Sequence, residues 1–375
     1  MSQKNNIPEI QWDFGTAYEL FISLHVLHES DHYGVRPSYA AGVRSRIPAA
    51  ERKLLEEALP LMALPLKWIH NLPAPKDAIS ALWALKQIPA AERMLTLQRV
   101  HDVHHKYDNA EEIEKYTKFN QILLRIATEG KWKPEDAEFF VKVFNKKHEN
   151  MKKEAIERAL AWWSRPAEFG EGMLSALQAY YQAFFEEEEK RVEPILKAGM
   201  RRAQELAATK TFDELFSELS QGVQWGGEFL SKKIVIAPAF WTTPLIFFDK
   251  IDKDTLILLF GTRPADMSVI PGETLPDGLV RSLKALADPT RLKILFYLSH
   301  ESLSPSELAR RLHLRAPTVT HHLSELRLAS LVNVNIEGQE KKYRTRREAL
   351  ESTFTSLQDF LKLTEERALS PETVP

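Results

Sequence analysis

The chain has 375 residues, 44% of them hydrophobic and 27% charged, with a formal net charge of −2 and no cysteine. This composition excludes a disordered chain, a disulfide scaffold, cysteine-ligated zinc and thiol catalysis, and the length suffices for two or three domains. No basic region followed by an apolar run opens the chain, and no segment offers about 18 uninterrupted apolar residues, so a cytoplasmic protein without a membrane span is expected.

From about residue 12 to 225 apolar residues recur at spacings of three and four, which predicts helix after helix. Within "LHVLHESDHYG", residues 24 to 34, His28-Glu29-Ser30-Asp31-His32 matches the H-E-x-x-H pattern of zinc metallopeptidases. On one helix, two His four residues apart share a face and hold zinc, while the Glu acts as general base. Against that reading, Asp31 puts a charge where these enzymes usually have an uncharged residue, and Gly34 and Pro37 close the helix. Phe14, Tyr18, Phe21, His25, His28 and His32 form one stripe beside Leu20, Leu24 and Leu27, the pattern of a buried core helix.

Two alternatives keep the histidines functional. One is a metallopeptidase using His28, Glu29 and His32, with Glu51 downstream in place of a third ligand. The other is a metal-responsive site in which His25, His28 and His32, joined by His101, Asp102, His104 and His105, hold zinc or nickel. The chain has no P-loop, dinucleotide fingerprint or G-x-S-x-G elbow, so neither an enzyme nor a cofactor is expected.

Farther along, "FFEEEEKR" at 184 to 191 pairs Glu186 with Lys190 and Glu187 with Arg191, as on a solvated helix face. Tryptophans scattered from Trp12 to Trp241 suit either a helical core or an organic-ligand cavity. Between 232 and 264, short runs of Ile, Val, Phe and Leu separated by Pro, Asp and Lys predict a small antiparallel sheet. The proline- and glycine-bearing stretch that follows predicts a linker at 266 to 278.

Charge then changes sign. From Arg281 to Arg347 there are 13 Lys or Arg against 6 Asp or Glu, a balance of +7 on a chain of −2 overall. A basic module on an acidic body points to a polyanion bound at one end. Ser304 caps a helix that has Pro305 at its first position and Leu308 and Leu312 on one face. After a brief turn, Ala316 to Leu328 forms a second helix with Val319, Leu323 and Leu326 facing inward. This is a helix-turn-helix, and "LVNVNIEGQEKKYRTR" reads as a basic hairpin, a wing. A last helix carries Leu350, Phe354, Leu357 and Leu361 as one apolar stripe.

The segments "ALADPTRLKIL" at 285 to 295, "SELARRL" at 306 to 312, "APTVTHHLSEL" at 316 to 326 and the hairpin resemble the ArsR-type family of bacterial winged-helix regulators. The likeness covers about 70 residues of the chain. It implies a homodimeric repressor on a palindromic double-stranded DNA operator, with the last helix at the dimer interface. The long body beginning "WDFGTAYELFISL" looks like the uncharacterised domain of some larger members. Metal-sensing members carry a Cys-x-Cys box where this chain has "SLSPSEL", or His on the last helix, where "EALESTFTSLQDFLKL" has none. Both metal sites known for the family are therefore missing, and a small-molecule effector is expected to act through the N-terminal body.

The expected fold is mainly α with a small antiparallel β part: a helical domain over 1–265, a linker over 266–278 and a winged helix-turn-helix over 279–366. Arg315, Thr318, Thr320 and His321 lie at the exposed start of the recognition helix, within reach of base edges and phosphates. On the wing, Lys341, Lys342 and Arg344 are placed to meet phosphate and Gln339 to reach a groove edge.

Overall fold

The computed structural model describes residues 7–98, 110–145, 152–225, 231–337 and 340–368. Its N-terminal body begins with strand β1 (Glu9–Trp12) and continues through α1 (Ala17–His28), α2 (Pro37–Ser45), α3 (Ala49–Ala58), α4 (Leu66–His70), α5 (Ala78–Gln87) and α6 (Ala90–Gln98). There follow α7 (Ala110–Glu129), α8 (Pro134–Asn145), α9 (Lys153–Trp163), α10 (Pro166–Tyr180), a π-helical turn at Tyr181–Phe185, α11 (Glu186–Thr209) and α12 (Phe212–Leu219). Local signals set many of the starts. Proline occupies the first turn of α2 and α10, Asp77 caps α5, and Thr211 with Glu214 closes a capping box on α12.

After β2 (Val223–Trp225) come β3 (Lys233–Ala239), β4 (Phe247–Lys250) and β5 (Thr255–Gly261). The sheet order is β1-β3-β5-β4, with β1, β3 and β5 parallel and only β4 antiparallel to its neighbour. This corrects the expected antiparallel sheet. Alternate residues leave β3 and β5 on opposite faces: Val235, Ala237, Ile257 and Leu259 enter the main helical core, and Ile234, Ile236, Leu258 and Phe260 pack on α11 and α12. Strands covered on both faces are the usual setting of parallel pairing. At the turn after β3, buried Glu19 of α1 accepts the N–H groups of Phe240 (2.9 Å) and Trp241 (3.1 Å), and burial pushes its carboxyl up to about 8.

The acidic run also departs from the expected solvated face. Glu186 pairs with Lys190 in solvent, but Arg191 pairs with buried Glu188 rather than Glu187, and Glu188 also accepts from the Trp241 indole at 2.9 Å. Glu189 accepts the N–H of Ala78 at 3.0 Å.

The second module comprises α13 (Asp277–Leu286), α14 (Pro289–His300), α15 (Pro305–Leu312), α16 (Ala316–Leu328), β6 (Val332–Glu337), β7 (Glu340–Thr345) and α17 (Arg347–Ala368). Ile294, Leu298, Leu308, Val319, Leu323, Leu326 and Leu331 fill its core. The fold is therefore mainly α, a helical body followed by a winged helix-turn-helix. The stretch 266–278 packs on the body: Val269 is buried there, and Asp277 accepts from the Ser268 hydroxyl (3.0 Å) and the Val269 N–H (2.6 Å).

The two parts share a sheet. β2 pairs in parallel with β6, Val223 opposite Val334 and Trp225 opposite Ile336, giving the order β2-β6-β7. Beside this pairing the guanidinium of Arg327 donates to the carbonyls of Ser220 and Gln221, both at 2.7 Å. Burial, with the charge of Arg346 second, lowers Arg327 to about 10. Arg327→Met leaves the Ser220 carbonyl unpartnered, while Gln221 keeps a longer bond from Arg346. The variant is expected to lose about 1–3 kcal/mol of stability, read as a lowered midpoint in urea unfolding.

Candidate nucleic-acid interface

The helix-turn-helix is built from its caps. Ser304 and Glu307 form a reciprocal capping box at the start of α15, the Ser304 N–H donating to Glu307 Oε2 at 2.8 Å. At its end His313 takes the left-handed conformation (φ 53) and lets the chain turn within three residues into Arg315, the N-cap of α16. Val319, Leu323 and Leu326 are at most 1% exposed, fixing α16 against α14 and α15. The opposite face is thereby settled: Arg315, Thr318, Thr320 and His321 are all exposed. The Thr320 hydroxyl donates back to the Ala316 carbonyl at 3.0 Å, and Arg315 makes no side-chain cap on the first turn of α16. That turn thus presents N–H groups to solvent beside a cation, a setting that suits phosphate. The adjacent His322 is half-buried, with Nδ1 4.0 Å from Asp288.

β6 and β7 pair antiparallel from Val332 opposite Thr345 to Glu337 opposite Glu340, and Leu303 bridges to Tyr343 on the far side of β7. Strand alternation separates the wing cations. Lys342 and Arg344 share one face, and Lys341 lies on the other with Tyr343 and Thr345. Gln339, assigned to the wing tip, lies outside the described residues.

Sequence charge overstated the polyanion-facing surface. Arg327 and Arg346 turn toward the body, Arg291 donates to the carbonyls of Lys284 and Ala285 at the end of α13, and Arg311 pairs with Glu301 at 2.5 Å. Arg310, unassigned from sequence, is exposed on α15 near the helix-turn-helix. Its place opposite buried Leu308 and Ala309 was available from helical spacing alone.

A buried three-helix core, an exposed second helix of the helix-turn-helix and a basic hairpin define a winged helix-turn-helix fold. The family profile "Bacterial regulatory protein, arsR family" matches residues 288–334. The HTH-type transcriptional regulator KmtR of Mycobacterium tuberculosis is 36% identical over 80 residues, 20% of this chain and 62% of that protein. The regulator Rv2034 of the same species is 38% identical over 80 residues, 21% of this chain and 75% of that protein. Among solved structures, an ArsR-like transcriptional regulator from Rhodococcus sp. RHA1 is 31% identical, covering 24% of this chain and 86% of that one, with a TM-score of 0.22. The chain belongs to the ArsR family, whose winged helix-turn-helix it carries in its C-terminal part. It spans just under two thirds of KmtR, and the matches together cover about a fifth of its own length.

The H-E-x-x-H reading fails on helix geometry. α1 ends at His28, Glu29 is its C-cap, and a turn closed by Val35 N–H to Ser30 O (2.9 Å) carries exposed His32 away from the helix face. His25 and His28 line a cleft of about 220 Å³ with Glu29, Arg44 and Glu56, which does not include His32 or Glu51. His25 Nε2 lies 3.0 Å from the Tyr33 hydroxyl, and His28 Nδ1 donates to the Leu24 carbonyl at 2.8 Å. Among the described residues no three His, Cys, Asp or Glu are grouped to hold a metal ion; His101, Asp102, His104 and His105 lie outside them.

Desolvation lowers both His25 and His28 from 6.5 to about 4. Folding therefore favours the neutral rings. Their contribution is full above about pH 6.5 and is lost as pH falls toward 4, because the unfolded chain takes up protons first. His28→Gln keeps a donor for Leu24 without the titration. Relative to the unmodified protein its stability should rise by up to about 3 kcal/mol between pH 6.5 and 4 and stay level above pH 7, measured by urea unfolding across pH.

Proposed function

We propose that the protein is a homodimeric repressor that binds a palindromic operator, with a small-molecule effector acting through the N-terminal body, residues 1–265. The observation that carries the DNA-binding part is the exposure of Arg315, Thr318, Thr320 and His321 along the start of a helix whose other face is locked in the core. Thr318 and His321 read base edges, Arg315 and Thr320 meet flanking phosphates, Lys341, Lys342 and Arg344 hold the wing on the backbone, and Gln339 reaches a groove edge. The remaining region, 279–366 after a connecting stretch at 266–278, is the DNA-binding and dimerisation part.

The dimer rests on α17. Phe354 and Leu361 are 57% and 54% exposed, one turn-pair apart on the stripe with Leu350 and Leu357, while Leu350 packs on the winged-helix core. Large apolar side chains aligned in water are what a second copy covers. Two-fold symmetry then sets the recognition helices about 34 Å apart along the duplex. No helix among the described residues is long and apolar enough to cross a membrane.

Fluorescence anisotropy against the DNA upstream of the regulated gene tests the assignment. The combined change Thr318→Ala, His321→Ala and Lys342→Ala should weaken specific binding by about 100-fold or more, and loss of the Lys342 contact should flatten the salt dependence by about one unit. Retained specific affinity would overturn these contacts. For assembly, Phe354→Glu with Leu361→Glu should convert a dimer to a monomer in sedimentation at micromolar concentration; a monomeric unmodified protein rejects the dimer.

A further inference from the structure

The body and the winged helix enclose a cleft of about 400 Å³, within the size range of small-molecule sites. Thr243 and Arg263 come from the body, Arg281 from α13, Leu328 from the last turn of α16, Arg346 from the link between β7 and α17, and Ser352 from α17. Three arginines thus line the cleft with one carboxylate residue, Glu348, and Arg281 also borders a neighbouring cleft that Asp31 and Glu325 line.

Arg263 and Arg281 share the charge of one near carboxylate, Asp277. The buried Nε of Arg281 has no hydrogen-bond partner. Gly34 leaves room for that side chain: it sits at φ +66, and a Cβ there would approach Arg281 Cδ to 3.1 Å. Arg263 is 8% exposed and donates from Nη2 to the Thr243 carbonyl at 2.9 Å. Its carboxylate neighbour, Asp277, stands 3.7 Å from Nη1 and is already accepting from Ser268 and Val269. Burial, followed by the charge of Arg281, lowers Arg263 to about 9, so it stays a cation at neutral pH. A buried cation short of partners is costly unless an anion completes it. Beside the arginines, Leu328 and Met267 offer an apolar wall.

We propose that this cleft binds a small organic carboxylate, with its anionic head on Arg263 and Arg281 and its hydrocarbon part against Leu328 and Met267. The inference rests on the reading of the protein as an effector-controlled DNA-binding regulator, and it places the effector at the junction of the two parts rather than inside the body. Because the end of the recognition helix and the start of α17 form the wall, occupancy biases the position of the DNA-reading surface directly. The ligand supplies the counter-charge that the fold omits, and guanidinium is suited to hold carboxylate in a two-point bond.

The test uses the full chain with benzoate, its neutral analogue benzamide, and inorganic phosphate as probes. Benzoate at millimolar concentration should raise the melting temperature, and benzamide and phosphate should not. Arg281→Met should fold, keep its melting temperature in plain buffer and lose the benzoate response. Ser352→Trp, at an exposed position of the cleft, should lose that response with all three arginines intact, which covers a failure of the first variant to fold. Benzoate should change operator affinity by about fivefold or more in the unmodified protein and leave it unchanged in either variant. Equal stabilisation by benzamide, a response to phosphate alone, or a benzoate response surviving both variants would overturn the proposal. Operator binding with no benzoate effect removes the cleft and leaves the DNA-binding reading standing. A cleft response in a protein without specific DNA binding does the reverse.

Discussion

The carbonyls of Ser220 and Gln221, held by one guanidinium from the recognition helix, determine how the two halves of this regulator are related. Arg327 lies one residue before the end of α16, so its bonds fix that end of the helix to the turn preceding β2. The same turn needs unusual backbone, with Gln221 at φ 54 and Gly222 at φ +95, where a Cβ would meet Asn333 Oδ1 at 2.2 Å. Glycine is the residue that allows such an approach. With the turn in place, β2 covers the free edge of β6, and Ile336 of the wing packs against the body cluster that contains Phe216 and Val223. An exposed wing edge is thereby removed. The wing and recognition helix are parts of the body's surface, rather than a module tethered to it.

How much of this was readable depended on the range of the physical signal. The start of α15, the inward face of α16 and the wing strands follow from a capping box, three-four spacing and alternation, all encoded within short stretches. β2 was invisible because three residues, Val223 to Trp225, carry no period, and their partner lies over a hundred positions later. Strand direction was unreadable for a related reason: alternation specifies which face a residue takes but not the sense of its neighbour. The acidic run at 186 to 189 misled because helical spacing offered Arg191 two carboxylates. The choice of Glu188 was made by the Trp241 indole from a distant turn. Charge counting had the same weakness, since it weighed Arg281, Arg327 and Arg346 equally with Arg315 although the fold turns the first three toward the junction.

The histidine motif shows a different limit. Its stripe was real as far as His28, and the helix ends there because the chain folds back through Ser30 and Val35. Tyr33, which that turn brings round, receives His25 edge-on at 5.5 Å and bonds its Nε2. The imidazoles thus serve a helix end. Gly34, which on sequence merely closed the motif, is the residue that makes space for Arg281. Its significance came from a side chain nearly 250 positions away.

That contact also bears on how a signal would reach DNA. A body rigidly stitched to the wing at β2 cannot swing as a whole without breaking a buried pairing, so control by wholesale domain rotation is disfavoured. Movement is cheaper on the other side of the joint. There α13 and α17 meet the body across the arginine cleft, where Arg263 and Arg281 share the charge of Asp277. One side of the junction is held by strand pairing, and with the proposed carboxylate bound the other side gains its counter-charge from the ligand. A ligand there bears on the start of α17 and the end of α16, next to the Arg327 anchor. In a two-fold assembly on α17, a small tilt in each subunit alters the separation of the two recognition helices, the distance on which half-site matching depends.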